Sequence, residues 1–137
     1  MRMAQLGLAL AASAIMVVGA ANSASASGSA VAVDKSWGIT SFYPDGDWLY
    51  VYDTDADGYA VHGVLQSYVC ANVNCDGYHW VDLRTGCNDD TKIGDDGTEV
   101  RHCNYDISEN LTVRACEFRS SGGVPYGSWY CSASTKS

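Results

Sequence analysis

DWLYVYDTDADGYAVHGVLQSYVC, residues 47–70, decides the fold. In Trp48-Leu49-Tyr50-Val51-Tyr52 the aromatics share one parity and the aliphatics the other. After Asp57-Gly58 the alternation resumes, with Tyr59, Val61, Gly63 and Leu65 on one parity and Ala60, His62 and Val64 on the other. A period of two, rich in Val and Tyr, is what a pleated ribbon with one buried face requires. Asp-Gly supplies the positive φ of a tight turn. The pattern predicts an antiparallel hairpin with these two runs as its arms and further strands added on either side.

Downstream, Tyr78–Leu83, Thr98–Cys103, Leu111–Phe118 and Ser128–Cys131 read as strands, separated by loops rich in Asn, Asp, Gly and Ser. The intervening segments include a long acidic loop at Thr85–Gly97 and a turn at Asp106–Asn110, and Ser132–Ser137 reads as a polar tail. Upstream, Tyr43-Pro44-Asp45-Gly46 is a turn signature. Ala30–Val33, followed by Trp37 and Ile39, is read in two ways: as the first strand of the sheet, or as an extended arm that adds to a partner's sheet edge or cleft. No helical periodicity occurs after the N-terminal apolar run. The fold class predicted is all-β, a small antiparallel β-sandwich of immunoglobulin or fibronectin size with six to seven strands.

Met1-Arg2, an apolar run over Leu6–Ala21 and the Ala24-Ser25-Ala26 cleavage pattern have the order of a secretory signal peptide. The domain reading is therefore a leader over 1–26, an arm or first strand over 27–40, and a sandwich over 41–137. The expected location is secreted and extracellular. Sixteen acidic residues against eight basic ones give a net charge of −8. With no Lys/Arg cluster, this argues against nucleic acid or an anionic membrane as partner. The six cysteines, Cys70, Cys75, Cys87, Cys103, Cys116 and Cys131, read as three disulfides in an exported domain. Of the 15 pairings that six cysteines allow, the sequential one is the expectation: Cys70–Cys75, Cys87–Cys103 and Cys116–Cys131.

Candidate chemistry is sparse. Asp53-Thr54-Asp55-Ala56-Asp57-Gly58 matches the first half of a calcium loop, so Asp53, Asp55 and Asp57 are candidate ligands. The bidentate Glu is missing, Val64 standing in its place, and strands replace the flanking helices. A hairpin turn with solvated acids is the competing reading. Asp89, Asp90, Asp95 and Asp96 form a second acidic group without fixed geometry. His62, His79 and His102 lie far apart with no metal-ligand spacing. Gly127-Ser128-Trp129 lacks the first Gly of a nucleophile elbow, and the carboxylates sit in turns where they are expected to titrate normally. The chain is read as a non-enzyme without cofactor. Nine tyrosines, four tryptophans and two phenylalanines exceed what a small core absorbs. Exposed Tyr and Trp suit protein interfaces and sugar-stacking platforms. Partner-binding candidates are Val31, Val33 and Trp37 in the N-terminal segment and Tyr78, Trp80 and Tyr126 on an aromatic face.

With Asp53, Asp57-Gly58, Arg114-Ala115-Cys116 and the closing Cys131 in place, the chain resembles the small secreted disulfide-bonded β-sandwich proteins of actinobacteria. The design and size are also similar to the adaptor subunit of secreted umbrella toxin particles. That resemblance implies an N-terminal arm in the cleft of a trypsin-fold lectin subunit and a body seated on a large toxin subunit. The expected function is a secreted, non-catalytic protein-binding module, an adaptor in a larger toxin-like complex. The alternatives are an inhibitor of an extracellular hydrolase, using the Cys70–Cys75 or Ser120–Tyr126 loop, and a small carbohydrate-binding module.

Overall fold

The structure is a computed structural model that describes residues 28–89 and 101–137. Residues 1–26, expected to be a signal peptide, the acids Asp90, Asp95 and Asp96, and residues 98–100 of the expected Thr98–Cys103 strand lie outside the described residues. Among the described residues ten strands follow one another: β1 (Val31–Lys35), β2 (Gly38–Tyr43), β3 (Trp48–Asp53), β4 (Ala60–Cys70), β5 (Tyr78–Asp82), β6 (Cys87–Asp89), β7 (Arg101–Asn104), β8 (Thr112–Ser121), β9 (Val124–Cys131) and β10 (Thr135–Lys136). One sheet has the order β1-β2-β3-β7. The other has the order β10-β8-β4-β5, with β6 also beside β4 and β9 beside β8. All pairings are antiparallel. The all-β sandwich expected from the sequence is the fold observed. It has more strands than six or seven because residues 31–43 supply two, and because β6 and β10 are short segments that alternation does not reveal.

The expected hairpin between residues 48–53 and 60–70 does not form. β3 pairs with β2 and β7 in the first sheet, whereas β4 pairs with β8, β5 and β6 in the second. Residues 54–59 are thus an arch that carries the chain from one sheet to the other. The inward positions of both runs face each other across the core: Leu49, Val51 and Asp53 from β3, and Val61, Gly63 and Leu65 from β4. Gly63 permits this approach, since a Cβ there would lie 2.4 Å from Val51 Cγ2. Gly58, at φ 83°, takes the left-handed turn that the Asp-Gly pair announced. An arch uses that conformation as readily as a hairpin does, and the saturated edges of β3 and β4 decide between them.

The N-terminal segment resolves to the first-strand reading. β1 pairs along its length with β2, from Val31↔Phe42 to Lys35↔Gly38. Val33 is buried and Val31 is half-buried, so neither belongs to a free arm. The polar tail is not loose either. β10 pairs with β8, and buried Ser137 accepts the Asn110 N–H, donates its own N–H to the Leu111 carbonyl, and donates its hydroxyl to the Ser108 carbonyl.

Phe42, Leu49, Val51, Val61, Leu65, Cys87, Tyr105, Val113 and Ala115 form the core between the sheets. Burying each large apolar side chain there stabilises by about 1.5–3 kcal/mol. The disulfides are Cys70–Cys75, Cys87–Cys103 and Cys116–Cys131. Cys87–Cys103 joins β6 of the second sheet to β7 of the first. Cys116–Cys131 crosses between neighbouring strands β8 and β9. Three such bonds and no free cysteine fit an oxidising environment.

Candidate partner-binding faces

A strand alternates its side chains, so the parity that buries Leu49 and Val51 turns Trp48, Tyr50 and Tyr52 onto the outer face of the first sheet. Register brings two more rings beside them: Tyr43 pairs with Trp48, and His102 with Tyr50. The Tyr43 and Tyr50 rings meet edge to face at 5.3 Å and 82°. His102 lies 5.4 Å from Trp48 and 5.9 Å from Tyr50. An open depression of about 360 Å³ is lined by Tyr43, Asp45, Trp48, Tyr50 and Tyr52. The turn above it is held firmly. Pro44 is buried, Gly46 and Asp47 take positive φ, and the Gly46 carbonyl accepts from Asn104 Nδ2 at 2.8 Å. The Asp47 carboxylate accepts the Ile107 N–H at 3.0 Å. Partial burial raises its pKa, and that hydrogen bond offsets part of the rise.

The opposite surface, on the outer side of the second sheet, has its own group. Tyr68 on β4 stacks with Tyr78 at 5.2 Å and meets Trp80 at 4.9 Å, both on β5. Arg114 on β8 lies over the Trp80 ring at 4.1 Å, and its Nε donates to Gln66 Oε1 at 2.9 Å. Desolvation beneath the ring lowers the guanidinium pKa. Tyr78 and Tyr68 remain exposed. Farther along the same sheet Phe118 stacks between His62 at 4.7 Å and Trp129 at 4.4 Å.

A third group closes one end of the sandwich. Trp37, in the turn between β1 and β2, lies 6.1 Å from Tyr130 on β9. Lys35 sits over Tyr130 at 4.2 Å, and Arg119 over Trp37 at 5.0 Å. Tyr59 and Tyr126 stack at 4.5 Å, and their hydrogen bond is the main reason the Tyr59 phenol titrates above its usual range. Between these rings is a shallow depression of about 200 Å³.

The same arginine accounts for the calcium-like motif. Arg119 Nη1 pairs with Asp57 at 3.1 Å, and Nη2 approaches Asp55 at 3.9 Å. Asp53 points into the sandwich, where its carboxylate accepts the Asp55 N–H at 3.2 Å and its own N–H donates to buried Asp89 at 3.0 Å. The Asp57 carboxylate accepts the Tyr59 N–H at 2.8 Å. The three acids serve an arch clamped by a cation rather than converging on one point. Among the described residues no group of three or more His, Cys, Asp or Glu side chains has metal-binding geometry. His62, His79 and His102 stand on three different strands.

Besides Asp47, Glu117 departs from the expectation that the carboxylates sit in turns and titrate normally. Glu117 shares the inward parity of Val113 and Ala115 and is fully buried opposite Gly63. Neither carboxylate oxygen completes a hydrogen bond, and the buried Thr40 hydroxyl beside it completes none either. Desolvation pushes its pKa up to about 7. Thr40 and Lys35 hold the shift down, while Asp34 adds to it.

The six partner-binding positions read from sequence therefore divide. Val31 and Val33 belong to β1, Trp37 and Tyr126 to the end group, and Tyr78 and Trp80 to the second-sheet face. The first-sheet face, with Tyr43, Trp48, Tyr50, Tyr52 and His102, was not singled out, although strand parity alone carries three of its five members. Compared with known protein families, curated proteins and solved structures, the chain matches none.

Proposed function

We propose that this chain is a secreted, non-catalytic protein-binding module that holds two partners at once, as an adaptor in a larger exported, toxin-like assembly. One observation carries the reading: the two outer faces of the sandwich, which point in opposite directions, each bear an aromatic group. Outer sheet faces are ordinarily polar, and clustered Tyr and Trp are the side chains that dominate binding energy at protein interfaces. A module with one such face binds; a module with two opposed faces bridges. The leader-like residues 1–26, the three disulfides and the resemblance to the umbrella toxin adaptor support the compartment and the role. A lectin subunit of trypsin fold and a large toxin subunit are the partners that resemblance suggests. With residues 31–35 in the sheet, the edge of β1, which no other described strand covers, replaces a free arm as the place for β-augmentation.

The test is affinity purification of the tagged protein from its native culture supernatant, with mass spectrometry of what accompanies it. Two large exported partners are expected in fixed proportion. Tyr50→Ala on the first face should release one of them, and Tyr78→Ala on the second should release the other. Recovery of the protein alone, or loss of both partners from either substitution, would reject the bridging arrangement.

A hydrolase inhibitor is the second reading, favoured by Val73, which is 98 % exposed in the loop that Cys70–Cys75 closes. Asn72 stiffens that loop by accepting the Asn74 and Asp76 N–H groups. Unchanged protease and glycosidase activity across a panel titrated with the protein would remove this reading.

A further inference from the structure

Two of the aromatic groups contain a cation supplied by the chain itself. Arg114 lies over Trp80; Lys35 and Arg119 lie over Tyr130, Trp37 and Tyr59. The first-sheet group has the same ring chemistry without that occupant. No Lys or Arg lies over Tyr43, Trp48, Tyr50 or Tyr52 among the described residues. In its place the depression carries the carboxylate of Asp45, which forms no ion pair among the described residues. The rings do not form a flat platform: Tyr43 and Tyr50 stand at 82° to each other, so they make adjoining walls.

Aromatic walls at right angles with an acid at the rim are suited to one kind of ligand. Ring faces attract a positive charge through their quadrupole, and most strongly when the cation is weakly hydrated, because little hydration is lost on entry. A quaternary ammonium group meets that condition and has no N–H that would require an acceptor. We propose that the depression lined by Tyr43, Asp45, Trp48, Tyr50 and Tyr52 is a binding site for a quaternary ammonium group. Its volume of about 360 Å³ accommodates a trimethylammonium head together with the start of its chain. The turn that carries Asp45 is pinned by buried Pro44 and by the Asn104–Gly46 hydrogen bond, so the walls and the acid are set before ligand arrives. His102 packs against Trp48 and Tyr50 beside these walls. This inference rests on reading the outer face of the first sheet as a binding face, and it names the chemical group that face takes.

The experiment is titration of the folded protein at pH 8 with choline and with tetramethylammonium, read by tryptophan fluorescence and by calorimetry. The uncharged isostere 3,3-dimethyl-1-butanol serves as the control. Saturable binding of both cations is expected, with the isostere about tenfold or more weaker. Asp45→Asn should weaken choline several-fold. Tyr43→Ala, at a ring 48 % exposed and outside the core, should weaken it at least as much without unfolding the chain. Vesicles of phosphatidylcholine distinguish the source of the head group. Co-sedimentation assigns a lipid, and choline binding without co-sedimentation assigns a free solute; either upholds the site. No saturable response to either cation, or an equal response to the isostere, would overturn it. Partner capture from supernatant that survives such a failure would leave the adaptor reading standing.

Discussion

Replacing Glu117 with glutamine removes a single ionisation from the centre of the sandwich while keeping the shape of the side chain. In the folded protein this carboxyl titrates at about 7 instead of 4.5, because burial opposite Gly63 disfavours its charge. Below pH 4.5 both folded and unfolded chains hold the proton. Between 4.5 and about 7 only the folded chain holds it, so stability falls as pH rises, by about 1.4 kcal/mol per pH unit. Above about 7 the loss is complete and totals about 3 kcal/mol. Glutamine has no proton to lose. Urea denaturation of wild type and Glu117→Gln, followed by tryptophan fluorescence at steps from pH 4.5 to 8, should therefore give curves that diverge. The variant should gain about 3 kcal/mol relative to wild type across that range, about 2 M in urea midpoint for a domain of this size. Other acids on this negatively charged chain also tilt the wild-type profile, but they tilt the variant equally, and the difference isolates position 117. Parallel curves would refute the argument, since they would mean that the Glu117 carboxyl is solvated or partnered in solution.

Gly63→Ala should destabilise by about 1–3 kcal/mol, because the new methyl lies 2.4 Å from Val51 Cγ2 across the core. Gly58→Ala, with open space but φ 83°, should cost about 1–2 kcal/mol; equal effects from steric crowding and backbone strain can be separated by whether Val51→Ala rescues the first. Paired serine substitution of Cys87 and Cys103, which close a separation of 16, should cost about 3 kcal/mol, against about 2 for Cys70 and Cys75 with a separation of 5. Thermal melts of the two double variants check that order. Arg119→Ala should cost about 1–2 kcal/mol through loss of the Asp57 pair and the contacts over Trp37 and Tyr59, with faster proteolysis within residues 54–59 as the local readout.

Period-two patterning separates Leu49 and Val51 from Trp48, Tyr50 and Tyr52 without saying which parity is buried, and in the structure it is the aliphatic one. It could not assign ladder partners. Alternation records which side of a strand is apolar, while the choice between a hairpin and an arch depends on strands far along the chain that saturate each edge. The partner of Asp55 and Asp57 in the Asp53–Gly58 motif is hidden for a similar reason, since Arg119 stands on a strand not adjacent in sequence. Glu117 was legible in principle: it occupies the same parity as Val113 and Ala115, and an acid at an inward position is a signal in itself. Tyr105 was not. It follows β7 in a segment without periodicity, yet it is among the largest fully buried side chains. The sequential disulfide pairing matched because those cysteines close short loops between neighbouring segments, where local spacing carries the information.

The placement of β3 and β4 in different sheets also shapes how the chain reaches its native state. Strands β1, β2 and β3 form a meander of short-range pairings that can assemble within a brief stretch of chain. The central pairing of the second sheet is different: Gln66 on β4 meets Arg114 on β8, 48 positions later. Loop-closure entropy must be lost before that contact stabilises anything, and folding slows as such contacts dominate. The β1–β3 meander can therefore form early and present the apolar side of β3, while β7 on the other edge of β3, like β8 beside β4, joins only through a long-range contact. Contact order alone makes the pairings of β4 with β8 and of β3 with β7 the late ones, and until β8 arrives the edge of β4 that it covers is open to pairing with another molecule.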